Sequence, residues 1–139
     1  MFSADVAKTF ILTYDGTINL DDLASLLQPY QLRNKPIDLL TLSACQTSAG
    51  DDQAAMERAS LGLGGLAVKA GARSAMASLW LVNDQATQQL VTAFYEELAK
   101  NPEAGKAKAL QQAQLKLIRG DNFGHPLFWA PFLLIGDWL

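Results

Sequence analysis

The segment Ile37-Asp38-Leu39-Leu40-Thr41-Leu42-Ser43 is apolar at most positions and does not alternate. A strand with one face in water would alternate. A run apolar on both faces suits a parallel sheet with helices on both sides. Ser74-Ala75-Met76-Ala77-Ser78-Leu79-Trp80 reads as a second central strand. Between the two runs, Met56, Ala59, Leu63, Leu66 and Ala70 recur at steps of three and four, which is helical. Further along come two more helical patterns and a last apolar run. Strand, helix, strand, helix, helix, strand implies a mainly parallel, helix-covered α/β sheet.

The flanking segments are legible as well. Thr9 to Tyr14 reads as a strand, Asp15-Gly16 as a tight turn, and Thr17-Ile18 as the return strand of a hairpin. Asn19 caps a short helix whose stripe is Leu20, Leu23, Leu26 and Leu27. Pro29 and Arg33-Asn34-Lys35-Pro36 mark a surface loop. Gly62, Gly64 and Gly65 interrupt the helix that follows Cys45, at about 1 kcal/mol each relative to alanine. Close backbone packing against the sheet would explain them. Gly71 is placed as a C-cap. Asn83 or Asp84 caps a helix carrying Leu90, Val91, Phe94 and Leu98, broken at Asn101-Pro102. Leu110, Ala113 and Leu117 mark a further helix ending near Gly120. Phe128 to Ile135 reads as a last strand, in which Pro131 suits an edge or the start of pairing.

Composition narrows the function. The chain has 139 residues, half of them apolar, enough for one domain with one core. Its net charge of −3 is spread without blocks, so no basic patch argues for nucleic acid. No apolar stretch approaches the roughly 20 residues of a membrane span, and Met1-Phe2-Ser3-Ala4-Asp5 does not read as a signal peptide. One cysteine and one histidine make neither an internal disulfide nor a four-ligand zinc site. No cofactor is implied, and a reducing, cytoplasmic setting is the plain reading.

That single cysteine, Cys45, stands where the Ile37 to Ala44 run meets the polar loop Gln46-Thr47-Ser48-Ala49-Gly50-Asp51-Asp52. Reactive groups in open α/β sheets gather beyond the carboxyl ends of the strands. A thiol there is a candidate nucleophile. It needs a base, because a free cysteine with a pKa of about 8.5 is mostly protonated at neutral pH. The alternative is an inert core cysteine.

Leu42-Ser43-Ala44-Cys45-Gln46-Thr47 resembles the nucleophile motif of the CHAT domains, caspase-like modules usually found beside tetratricopeptide repeats. The similarity continues through Gly71-Ala72-Arg73-Ser74 and Ala77-Ser78-Leu79-Trp80-Leu81-Val82-Asn83-Asp84-Gln85-Ala86-Thr87. It extends through Phe94-Tyr95, Ala109 to Gln114, and His125 to Gly136, so it covers essentially the whole chain. It implies a caspase-like sheet covered by helices on both faces, and a cysteine–histidine dyad. In that family the dyad histidine lies in a His-Gly motif upstream of the cysteine, and in caspases by about 50 residues. Residues 1–139 therefore resemble the C-terminal part of such a domain, lacking the N-terminal strands and the base. The glycine whose N–H would join that of Cys45 in an oxyanion hole is absent too. Losing one such donor costs about 2.7–4 kcal/mol of transition-state stabilisation.

His125 falls in the family's His-Pro segment, where it resembles a structural residue. Asp84 has two readings: it caps the helix that begins near Gln85, or, as in separase-like relatives, it helps form the pocket for a basic P1 side chain. Trp80 and Trp129 read as core aromatics, and Asp51 and Asp52 as part of a solvated loop. The expected function is the C-terminal part of a CHAT-domain cysteine peptidase with Cys45 as nucleophile, inactive by itself, acting on a protein or peptide. The alternative is a non-catalytic protein-interaction module that meets a partner protein or a tetratricopeptide-repeat region. Neither reading involves a metal, a nucleic acid or a membrane.

Overall fold

The computed structural model describes residues 10–12, 16–32, 35–42, 64–65, 67–69, 71–80 and 82–139. Strands β1 (Phe10–Leu12) and β2 (Thr17–Asn19) pair antiparallel with Leu12 opposite Thr17, the hairpin read from the sequence. Helix α1 (Leu20–Leu32) follows at once. Asn19 Oδ1 accepts from the Asp22 N–H at 2.9 Å, and Asp22 Oδ2 accepts from the Asn19 N–H at 3.0 Å. This reciprocal cap satisfies one of the helix's orphan donors. Leu23 and Leu27 are buried, whereas Leu26 is 57% exposed, so the apolar stripe is narrower than the leucine spacing suggests. Contrary to the loop expected at Pro29, α1 runs through it to Leu32. A proline inside a helix removes one backbone bond. Here the buried Leu23 and Leu27 lie before it.

The main sheet among the described residues has the order β3 (Leu39–Leu42), β4 (Ser74–Ser78), β5 (Phe132–Gly136). The β3–β4 ladder is parallel, with Leu39 opposite Ser74 and Leu42 opposite Ala77. The β4–β5 ladder is antiparallel, with Ser78 opposite Phe132 and Ser74 opposite Gly136. The sheet is therefore mixed, which corrects the mainly parallel expectation. The physical reason is parity. Between β4 and β5 the chain makes two helices, α2 (Asp84–Lys100) and α3 (Gly105–Ile118), joined by a short 3-10 turn at Pro102–Ala104. Each helix crosses the domain once. Two crossings return the chain to the end it left, and the next strand must run the other way.

Both faces of this sheet are covered. On one face Met76 and Phe132 join Ala86, Leu90 and Phe94 of α2 and Ala109, Ala113 and Leu117 of α3 in a single buried cluster. Trp80 and Trp129 pack against it, as core aromatics should. On the other face Ala75 joins Leu23 and Leu27 of α1 and Ala67, with Leu40 and Leu42 packed alongside. The alternation along β4 thus sends Met76 to one core and Ala75 to the other.

Residues 64–65 and 67–69 are helical. A Cβ on Gly64 would stand 2.5 Å from Ile135 Cδ1, so this glycine permits close approach to β5. Gly65 faces open space and plays no such part. Gly71 ends the stretch at φ 117°, its N–H donating to Val68 O at 3.0 Å while the Ala72 N–H donates to Ala67 O at 3.1 Å. This is a Schellman cap, which requires a left-handed residue.

The end of the chain also departs from its sequence reading. Pro126–Trp129 form a short helix, α4, and the strand begins only at Phe132. Pro126 at the first turn has the φ a helix needs, and His125 caps it. Pro131 precedes β5 and accepts a hydrogen bond from the Leu79 N–H at 3.0 Å, a start-of-pairing role.

Candidate functional site

Parallel pairing decides where the site lies. Because Leu42 stands opposite Ala77, β3 and β4 release their chains at the same rim of the sheet. From β3 the chain continues beyond Leu42 toward Ser43, Ala44 and Cys45; from β4 it continues through Leu79 and Trp80 toward Asn83 and Asp84. Cys45 and its neighbours Gln46, Thr47, Asp51 and Asp52 lie outside the described residues. Antiparallel β5 starts at this rim too, which brings α4 and His125 into the same neighbourhood.

The exit of β4 is held firmly. Trp80 Nε1 donates to Leu127 O at 3.1 Å, and the Leu79 N–H donates to Pro131 O. Gln114 Nε2 reaches Trp129 O at 3.1 Å and Phe132 O at 3.3 Å, tying α3 to the α4–β5 junction. Asn83 caps α2: its Oδ1 accepts from Gln85 N–H at 3.0 Å and Ala86 N–H at 3.2 Å. Asp84 is the first helical residue and is exposed. Of the two cap candidates, Asn83 fills the role, and Asp84 is the first residue of the helix it caps. Asp84 keeps a favourable interaction with the helix dipole and makes no ion pair among the described residues.

His125 is exposed, and its Nδ1 accepts from the Leu127 N–H at 3.2 Å. An imidazole that accepts at Nδ1 carries its proton at Nε2. The lone pair a general base would use is therefore occupied by the cap. His125 has the structural role expected of it.

A model of the CHAT domain matches residues 3–137. The chain belongs to the CHAT domain family. Among curated proteins it is similar to tetratricopeptide repeat protein 28 of Homo sapiens, with 33% identity over 106 residues. That match takes in 73% of this chain and 4% of that protein, so the CHAT domain chain spans a small part of its relative's length. No solved structure matches it. No helix among the described residues is long and apolar enough to cross a membrane.

Two features of this CHAT domain were missed in the sequence. One is Lys106, at the opposite end of the sheet, only 4% exposed although charged. Its Nζ donates to Leu139 O at 2.6 Å and lies 3.3 Å from Asp38 Oδ2. Its place just after Gly105, which stands at φ 79° against the Trp138–Leu139 backbone, explains the burial. The other is a groove between α2 and α3, lined by Gln88, Gln89, Thr92, Lys116 and Leu117. The repeat of polar residues at steps of four from Asp84 was the available signal.

Proposed function

We propose that this CHAT domain presents Cys45 as the nucleophile of a cysteine-peptidase-type site, with Asp84 receiving a basic side chain of a protein or peptide substrate. The observation that carries the reading is the parallel β3–β4 ladder, which sends the Cys45 segment and the Asp84 loop out at one rim. Cys45 is three positions after Leu42, a span of at most about 11 Å. In the reaction the Cys45 thiolate attacks the peptide carbonyl, the C–N bond breaks, and the departing amine takes a proton. Water then hydrolyses the thioester to the acid and restores the thiol. A base must take the thiol proton at the start. His125 is committed to α4, and the chain has no second histidine. The 139 residues by themselves are therefore expected to turn over little or no peptide.

The test uses covalent capture, which needs no turnover. A peptidyl arginine chloromethyl ketone and its norleucine counterpart are reacted with the chain, and the adduct is mapped by mass spectrometry. The arginine probe is expected to label Cys45 faster, and Asp84→Asn is expected to erase the difference. Equal labelling by both probes refutes the role of Asp84. Peptide cleavage that survives Cys45→Ala refutes the cysteine mechanism.

A second reading rests on the same committed histidine: a protein-interaction module that keeps the fold without the chemistry, with a tetratricopeptide-repeat region as its partner. The name of the human relative supports that company. Labelling of Cys45 no faster than that of free cysteine by either probe would favour it.

A further inference from the structure

Gly136 ends β5 at φ 97°, a left-handed conformation, and leaves no room for a Cβ beside Arg73 O. It stands opposite Ser74, the first residue of β4, so the chain leaves the sheet at the end away from the Asp84 loop. Asp137, Trp138 and Leu139 are then held by their main chain. The Asp137 N–H donates to Arg73 O at 2.9 Å, the Ala107 N–H donates to Trp138 O at 3.0 Å, and Lys106 Nζ donates to Leu139 O at 2.6 Å. The Leu139 N–H closes a local turn on Asp137 Oδ1 at 3.2 Å. The side chains do not hold the segment: Trp138 is 60% and Leu139 72% exposed, and neither belongs to a buried cluster. Gly105 permits the approach, since a Cβ there would stand 3.1 Å from the Leu139 main chain.

Lys106 is the residue that depends most on this segment. Its side chain is only 5% exposed, and a buried ammonium is costly unless acceptors face it. Among the described residues it has two, Leu139 O and the Asp38 carboxylate at 3.3 Å. Asp38 is exposed and is shared with Arg73 at 3.9 Å, so Leu139 O is the closer and less screened partner. We propose that residues 137–139 form a strap, hinged at Gly136, that gates Lys106. Closed, its main chain satisfies and covers the ammonium. Open, it delivers that amine to solvent and to acylating chemistry. Opening breaks the three main-chain anchors and no core contact, so it is a local event that does not require unfolding.

The experiment reads the gate by lysine reactivity. The 139-residue chain is treated with N-hydroxysuccinimidyl acetate for timed intervals, well below its Tm, and acetylation at each lysine is followed by mass spectrometry. Lys108 and Lys116, both exposed, are the internal references. Lys106 is expected to react at least about tenfold more slowly than either, and removal of Trp138 and Leu139 should bring it to within about threefold of them. Replacing both residues by alanine keeps the main chain and should keep the protection. Extending the chain by Gly-Ser-Gly leaves a carbonyl at residue 139 and should keep it too. Protection that is absent from the intact chain, survives the removal, or is lost in the alanine or extended variant overturns the strap. Thermal melts separate gating from loss of the fold. Methionine needs no acceptor, so in the Lys106→Met background the removal should lower Tm by less than roughly half as much as in the parent. Equal losses in the two backgrounds overturn the role of Lys106.

Discussion

Asn83 is the residue on which the Asp84 loop turns, and its replacement by alanine has a calculable effect. Its Oδ1 serves two N–H groups at once, those of Gln85 and Ala86. Gln85 is exposed, so water replaces the lost bond at little cost. Ala86 is fully buried, packed in the cluster that holds Leu90 and Phe94. Its N–H would be left without a partner, and an unsatisfied buried donor costs about 1–3 kcal/mol. Loss of an N-cap side chain generally costs about 0.5–2 kcal/mol. The dry Ala86 amide places Asn83→Ala in the upper half of that range, at about 1.5 kcal/mol. For a domain of this size that lowers Tm by about 5 °C. Asp84→Ala removes only a charge–dipole interaction at the surface, about 0.3–1 kcal/mol. Asn83→Asp retains the acceptor and should be close to neutral. Urea melts followed by far-UV circular dichroism give the three values, provided the slope against denaturant is unchanged. A cost below about 0.5 kcal/mol for Asn83→Ala, or a larger one for Asp84→Ala, refutes the assignment of Asn83 as the cap.

Other substitutions probe the packing and the site. Gly65→Ala meets open space and should stabilise by up to about 1 kcal/mol, whereas Gly64→Ala must also push aside Ile135 Cδ1, the end of a flexible side chain, and should stabilise less or not at all; equal effects in urea melts would refute the close approach of that turn to β5. Phe94→Ala empties the centre of the larger core, where Phe94 is fully buried, and should cost about 3–5 kcal/mol by the same assay. His125→Ala removes one cap acceptor from a four-residue helix; it should change stability by no more than about 1 kcal/mol and leave the rate of Cys45 alkylation untouched. A fall in that rate would make His125 a participant in the chemistry.

The elements most legible in the sequence were those whose period is long and whose ends are punctuated. The helix from Asp84 to Lys100 was readable because Leu90, Val91, Phe94 and Leu98 repeat along one face and Asn101-Pro102 stops them. The hairpin was readable from Asp15-Gly16. What misled was local chemistry overridden by position. Pro29 breaks helices in general, yet α1 runs through it to Leu32. Phe128 and Trp129 have strand propensity, yet Pro126 and the His125 cap commit them to a helical turn. The direction of β5 could not be read from its own residues, because it follows from how many helices precede it. Asn83 and Asp84 were both legible as cap candidates, and the hydrogen bonds of the folded helix decide for Asn83. The groove was missed because the polar repeat from Asp84 marks only one wall, and Gln88, Thr92 and Lys116 meet only when α2 and α3 pack together.

The pairing of Ser78 with Phe132 has a consequence for synthesis. About fifty residues of chain must be made after β4 before β5 can cover its second edge. At ribosomal rates of 5–20 residues per second that is about three to ten seconds. Throughout that interval the rim bearing the Asp84 loop lacks the Leu127 and Pro131 anchors that hold Trp80 and Leu79. The nascent domain therefore reaches a finished rim only when its last strand is in place, and completion of that strand acts as the timer for fixing the Asp84 loop.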